Sequence, residues 1–275
     1  MRVYISVDME GIAGISHPRP TDRGDMGYPE AVELMTGEAN AAIEGALAGG
    51  ATEVLVNDSH GFGYNLGREA LHPAARLIQG QKAWSMVEGA GPDAGIDVAL
   101  FVGYHARAGD PKGSIAHTYS LGPSHSAVNG RPAGETTINA VCLGAWGVPV
   151  GMVSGDDRLA LEVAEWLPWA ERVVVKTGVG RHAAASQHPS KARALVRDGA
   201  ERAVRRAAAG ELRPLRLDGA VTIEIVYSNP ALADHAAIVP GAERVDDARV
   251  RHTADDAVTA YRGFLAGVRL ASLVE

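Results

Sequence analysis

Apolar residues in this chain come in short runs, and most runs stop at a polar cluster. Residues 2–7 read Arg-Val-Tyr-Ile-Ser-Val, largely β-branched and free of turn formers, and predict a buried strand. Gly, Pro, Asp and Ser then crowd residues 11–28, which predicts a long loop leaving that strand's carboxyl end. From Pro29 the pattern changes period: Ala31, Leu34, Met35, Ala39, Ala42, Ile43 and Leu47 recur at helical spacing until Gly49 and Gly50. Residues 52–56 form a second apolar run. A strand, helix and strand of this length imply parallel neighbours joined by a right-handed crossover.

The same alternation continues downstream. Strands are predicted over 97–103, 148–154 and 172–176, and helices over 135–146, 159–167 and 190–210, the last basic and Ala-rich. Residues 62–92 are less regular, with a short helix at 68–71, a strand near 76–79 and a loop at 85–89. Residues 115–119 predict a short strand, and Val128-Asn129-Gly130-Arg131 a hairpin with a type I′ turn. After a join at Pro214 come strands at 221–227 and 245–252 and a closing helix at 254–273. The expectation is an α/β fold: a three-layer arrangement with a mainly parallel central sheet flanked by helices, plus a smaller C-terminal α/β sub-lobe at about 215–275. The whole of 1–275 reads as one unit, without repeats or low-complexity tracts.

The polar clusters carry the chemistry. Asp8 and Glu10 follow the first strand at i and i+2, so on extended chain they share a face. Two carboxylates aimed alike at the end of a buried strand repel unless a cation lies between them. The second strand ends in Asn57-Asp58-Ser59-His60-Gly61 and the third in Tyr104-His105-Ala106; Glu135 opens a helix after Gly134. Parallel strands set side by side bring their carboxyl ends together, so Asp8, Glu10, His60 and His105 are expected to converge, with Glu135 close by. Taken singly each residue has a plainer explanation: a solvated loop start, a capped turn, a hydrogen-bonded core histidine, a first-turn glutamate. Their joint placement favours a metal site.

Five oxygen and nitrogen donors suit zinc ahead of manganese or cobalt. Three carboxylates and two neutral imidazoles carry −3 against +4 for two divalent ions, so a bridging hydroxide would leave the site neutral. Asp8 is the expected carboxylate touching both ions, at a metal–metal spacing of ~3.5–4 Å. Asn57, Asp58 and the Asp156-Asp157-Arg158 stretch are candidates for bracing the site from behind, the last also for a helix cap with an ion pair.

Composition narrows the rest. Lys+Arg 26 against Asp+Glu 33 gives a net charge of −7, so no basic field points to nucleic acid or an anionic membrane. A single cysteine, Cys142, excludes an internal disulfide and suits a reducing compartment. No apolar run approaches the ~20 residues that span a bilayer, and no targeting segment is visible. The expectation is a cytoplasmic protein.

At this point the sequence resembles a known family, the zinc-dependent D-aminopeptidases of the DppA type. The stretches that carry the likeness are Ser6-Val7-Asp8-Met9-Glu10-Gly11, Val56-Asn57-Asp58-Ser59-His60, Ser85-Met86-Val87-Glu88-Gly89, Gly103-Tyr104-His105-Ala106-Arg107-Ala108, Asn129-Gly130-Arg131-Pro132 with Gly134-Glu135, and Gly155-Asp156-Asp157-Arg158. They cover roughly residues 1–160, in the family's order. The resemblance implies a two-zinc aminopeptidase acting on short peptides with an N-terminal D-residue. It puts Asp8, Glu10, His60, His105 and Glu135 on the family's metal ligands and His117 on its catalytic histidine, with His125 a neighbouring imidazole able to compete for that role. It also implies a ring-shaped homo-oligomer, a decamer being the candidate ring. Metal spacing alone leaves open another two-metal hydrolase, an amidase or phosphoesterase, and a non-catalytic metal-dependent binding or assembly protein.

Overall fold

The structure, a computed structural model, describes residues 1–274. In chain order the strands and helices are β1 (Arg2–Val7), α1 (Tyr28–Ala48), β2 (Glu53–Asp58), β3 (Ala75–Ile78), β4 (Val98–Tyr104), β5 (Pro123–Val128), β6 (Arg131–Pro132), α2 (Glu135–Ala145), β7 (Val150–Asp156), α3 (Asp157–Trp166), β8 (Glu171–Gly180), β9 (Ala183–Ser186), α4 (Pro189–Ala208), β10 (Val221–Tyr227), α5 (Pro230–Ala236), β11 (Ala242–Arg244), β12 (Arg249–Ala254) and α6 (Ala257–Ala271).

A seven-stranded sheet in the order β3-β2-β1-β4-β7-β8-β9 forms the centre. Its strands pair in parallel except for β9, which folds back antiparallel on β8. The mainly parallel α/β sheet flanked by helices is therefore present as expected. Strand alternation divides its core in two. Val3, Ile5 and Val7 point into an apolar layer completed by residues of α1 and α4, such as Ile43 and Val204. Tyr4 on the other face joins residues of α2, α3 and α6. Tyr4 and Ser6 bring hydroxyls into that second layer, and both donate to the Met86 carbonyl, at 2.8 and 2.9 Å. Buried polar groups are tolerated when paired in this way.

A second sheet, β11-β12-β10-β5-β6, is antiparallel throughout and lies over the second core layer. It takes β5 and β6 from the middle of the chain. The hairpin between them turns at Asn129 and Gly130, both with positive φ (47° and 74°), which is the type I′ geometry their sequence predicts.

Several elements differ from expectation. Residues 68–71 form a turn closed by Leu71 N–H to the Gly67 carbonyl (2.8 Å), not a helix. Residues 115–119 join no ladder beyond one bridge between Thr118 and Ser120, because Ile115 and Tyr119 both adopt left-handed backbone (φ 53° and 63°). The strand expected at 172–176 continues to Gly180 and returns as β9, so Gly178-Val179-Gly180 is the end of a hairpin arm. Helix α5 was not expected. Its start is set by Asn229, whose side chain accepts from Ala231 N–H (2.9 Å), with Pro230 in the first turn. Among the described residues, no helix is long and apolar enough to cross a membrane.

Candidate metal centre

The central sheet sets the site by register. Val7 lies opposite Asp58 of β2 on one side and Val102 of β4 on the other, so these three strands end level. Asp8, His60 and His105 leave those ends, and Asp8 N–H donates to the Val102 carbonyl at 2.8 Å. The turn after Asp8 is held against β4 by Gly11 N–H to the Gly103 carbonyl (2.7 Å). Only glycine fits there: a Cβ on Gly11 would lie 1.7 Å from the Tyr104 carbonyl oxygen. Gly103 is likewise required, with φ +71° and a would-be Cβ 2.3 Å from the Asp8 carbonyl oxygen.

Asp8, Glu10, His105 and Glu135 are buried, while His60 and His117 are slightly open to solvent. His60 Nδ1 sits 2.9 Å from Glu10 Oε2 and 3.4 Å from Asp8 Oδ1. His105 Nε2 sits 3.4 Å from Asp8 Oδ2 and 3.3 Å from Glu135 Oε1. His117 stacks on His105 at 4.0 Å between ring centroids, and its Nε2 lies 3.7 Å from Glu135 Oε1. Two triads have ligand atoms within 4.8 Å of one another, Asp8–Glu10–His105 and His105–His117–Glu135. All five donors expected from the sequence thus meet in one place, joined by His117. His125 lies on β5 opposite Val226 and makes no hydrogen bond or ion pair to this cluster among the described residues.

Each imidazole is oriented in the same way. His60 Nε2 donates to the Thr21 carbonyl (2.9 Å), His105 Nδ1 to the Ala106 carbonyl (3.0 Å) and His117 Nδ1 to the Ile115 carbonyl (2.8 Å). A carbonyl can only accept, so these contacts fix one proton and turn the other ring nitrogen toward the carboxylates. Metal-binding histidines are held in this way, by a backbone acceptor that sets tautomer and ring angle.

Electrostatics carry the same message. Burial works against the charged form of each group, yet His60 is raised well above the usual imidazole range, chiefly by Glu10 and Asp8. His105 is raised likewise by Glu135 and Asp8. Against the same burial, the neighbouring imidazoles of His105 and His60 hold Asp8 well below the usual carboxylate range, and His60 lowers Glu10. Raised imidazoles beside lowered carboxylates mark a centre that favours positive charge. Asp8 Oδ2 and His105 Nε2 are nonetheless buried without a hydrogen-bond partner. Buried unpaired polar atoms are costly, on the order of 1–3 kcal/mol each. Facing orphan atoms in a mixed carboxylate and imidazole set with no thiol are the donors that zinc takes. The residues fit the metal.

Supporting groups surround the cluster. Asp58 accepts from Asn65 N–H (2.6 Å) and Leu66 N–H (2.8 Å), which orders the loop that carries His60. Asn57 donates to the Ser85 carbonyl at 2.9 Å. Asp156 caps α3 through Leu159 N–H (2.7 Å), whereas Arg158 pairs with Asp110 (3.2 Å). Glu135 Oε1 accepts from Tyr119 N–H at 2.6 Å.

Two residues bracing the site were not singled out in the sequence. Glu162 accepts from Gly134 N–H (2.8 Å) and Thr137 hydroxyl (2.6 Å), fixing the helix start from which Glu135 projects. Lys176 reaches from β8 to the backbone behind Glu10. A lysine closing the apolar run Val173-Val174-Val175 was its signal, the same signal that marks His105.

A cleft of about 330 Å³ opens onto the cluster, lined by Glu10, Thr21, Ile115, His117, Ser120 and Leu121 among others. Ser120 also lines a larger cavity of about 630 Å³, together with Ser59, Phe62, Tyr119 and Arg269.

The profile of peptidase family M55, described as D-aminopeptidase, matches residues 1–266. A D-aminopeptidase of Bacillus subtilis (strain 168) is 40% identical over 273 residues, covering 98% of each chain. The solved structure of a zinc-dependent D-aminopeptidase DppA from Bacillus subtilis, described as a self-compartmentalizing protease, superposes with a TM-score of 0.91 at 38% identity, covering 99% of this chain and 98% of that one. The likeness extends past residue 160, where the sequence motifs stop, through the second sheet and α6. The chain belongs to the M55 family of D-aminopeptidases.

Proposed function

We propose that the chain is a dinuclear zinc aminopeptidase that hydrolyses short peptides bearing an N-terminal D-residue. The observation that carries this is the convergence of five donors around the facing orphan atoms Asp8 Oδ2 and His105 Nε2, with His117 stacked alongside. Asp8, Glu10, His60, His105 and Glu135 would hold the zinc, with Asp8 placed between His60 and His105. When bound, zinc supplies a Lewis acid for the scissile carbonyl and lowers the pKa of water enough to give hydroxide at neutral pH.

The chain's own residues do the rest. His117 Nε2 is the free nitrogen of a ring whose Nδ1–H is committed to Ile115, so it can take a proton and return it to the leaving amine. Glu135 beside it stabilises the imidazolium so formed, at 3.7 Å. Left-handed Ile115 and Tyr119 bracket His117, and such backbone costs roughly 1–3 kcal/mol for each non-glycine residue. That strain is consistent with a ring held in one working orientation. The cleft beside Glu10 and His117 shares Ser120 with the larger cavity, an extended space that suits a short peptide. Preference for a D-residue is supported by the family and by the Bacillus relative.

The same reading treats 1–275 as one catalytic unit with a C-terminal sub-lobe from about 215. It takes the protein to be a homo-oligomer, which the self-compartmentalizing relative supports, and proposes a ring, a decamer being the candidate, as its form. A cytoplasmic setting is supported by the lone buried Cys142. The test compares wild type with His117→Ala for zinc content and for cleavage of D-Ala peptides, L-Ala peptides, simple amides and a phosphodiester. Full zinc with lost D-peptide turnover is expected; unchanged turnover removes His117 from the mechanism, and preferred phosphodiester cleavage overturns the substrate assignment.

A further inference from the structure

Behind Glu10 lies a buried cation that the reaction does not use. Lys176 is wholly enclosed, on β8 opposite Asp156 in the register. No carboxylate lies within ion-pair distance of it among the described residues; its Nζ donates instead to the carbonyls of Glu10, Ile12 and Ile15. An ammonium has three protons, and here each has an acceptor. Enclosing a charge without a direct counter-ion costs several kcal/mol, and a methionine would fill the same volume without that cost. A lysine kept there is explained by what it holds.

All three acceptors belong to one turn, residues 10–15, and Lys176 ties its carbonyls together. Its own bonds are the short-range ones from Ile12 to Met9 (3.1 Å) and Ile15 to Ile12 (3.2 Å). Its amides are also held from outside: Gly11 N–H donates to the Gly103 carbonyl (2.7 Å), Ala13 N–H to Glu38 Oε1 (2.9 Å) and Gly14 N–H to the Ser186 hydroxyl (3.1 Å). The turn begins with Glu10, whose backbone carbonyl meets Lys176 while its carboxylate reaches His60. We propose that Lys176 is a positioning residue that holds the 10–15 turn, and through it the Glu10 carboxylate, in the geometry that binds zinc. The inference rests on the reading of Glu10 as a zinc ligand.

The sign of the effect separates this role from two others. A positive charge near the ligands opposes a dication, so were Lys176 only a charge, its loss would tighten zinc. Were it only structural, its loss would lower the melting temperature and leave zinc affinity alone. Positioning predicts weaker zinc. The experiment strips wild type, Lys176→Met and the control Val204→Ala of metal and titrates each with zinc against a chromophoric chelator, following Tm in parallel. Val204 is a buried residue of α4 beside Gly49, so its truncation lowers stability away from the turn. Lys176→Met is expected to bind zinc about 10- to 100-fold more weakly than wild type, with Val204→Ala unchanged in affinity. Should Lys176→Met not accumulate folded, Lys176→Gln, which keeps two donors, is read in the same titration and is also expected to bind more weakly. Affinity equal to or tighter than wild type in the folded lysine variant overturns the proposal. A wild-type protein that takes up no zinc overturns the ligand assignment beneath it.

Discussion

Replacing Gly11 by alanine tests how tightly the site depends on the meeting of two strand ends. The added Cβ would sit 1.7 Å from the Tyr104 carbonyl oxygen and 2.5 Å from the carbonyl carbons of Gly103 and Tyr104. All three are backbone atoms, so no side chain can swing away. Ordinary contact needs the turn and the end of β4 to separate by roughly 1.5 Å. That movement breaks the 2.7 Å bond from Gly11 to Gly103, worth about 1 kcal/mol, and adds overpacking strain of about 1–3 kcal/mol. The expected loss is about 2–4 kcal/mol, or roughly 3–7 °C in Tm for a chain of this size. Gly11 follows Glu10 and Tyr104 precedes His105, so the displacement falls between two proposed ligands. A 1 Å misplacement of reacting groups costs on the order of 100-fold in rate. Thermal unfolding, zinc content and kcat/KM on a D-Ala peptide measure the three consequences. An alanine variant with wild-type Tm, zinc and turnover would show that the strand ends do not meet as described.

Three further outcomes follow from other parts of the molecule. Glu162→Ala leaves Gly134 N–H and the Thr137 hydroxyl unpaired and is expected to cost about 2 kcal/mol in denaturant unfolding. Glu162→Gln keeps the acceptor and, because burial already raises the Glu162 carboxyl, should stay within about 1 kcal/mol of wild type. His252, packed against Gly263 and Gly267 of α6, is pushed down to about 4 by burial. The unfolded chain then binds a proton that the folded one refuses, so stability present above the ordinary imidazole pKa of about 6.5 is lost as pH falls toward 4, by about 3 kcal/mol in all. In His252→Leu this part of the pH dependence should vanish, and an unaltered slope refutes it. Chelation of the zinc-loaded enzyme should abolish turnover and lower Tm, by about 2.7 kcal/mol of stability relative to zinc at 100 times its Kd; a chelated enzyme that stays fully active contradicts the zinc assignment.

The parallel strands were legible because their apolar runs are short, β-branched and spaced for crossover helices, and that topology brings Asp8, His60 and His105 together. Glu135 was legible as a helix start after Gly134. The segment around His117 was not. Its alternation resembles a strand, but its backbone partners are the Arg181 carbonyl for Ile115 (2.7 Å) and the Ala106 carbonyl for His117 (3.2 Å), which no local pattern announces. Lys176 was hidden for a related reason. Its three acceptors lie more than 160 residues away, and a lysine ending a strand is ordinarily a solvated one. The membership of β5 and β6 in the second sheet depends on β10, some hundred residues later, and is equally non-local.

Zinc-edge anomalous diffraction from crystals of the zinc-loaded protein tests the central claim most directly. Two peaks ~3.5–4 Å apart are expected, both within bonding distance of Asp8 and shared out among Glu10, His60, His105 and Glu135. Zinc bound elsewhere, or no peak between Asp8 and His105, would contradict it.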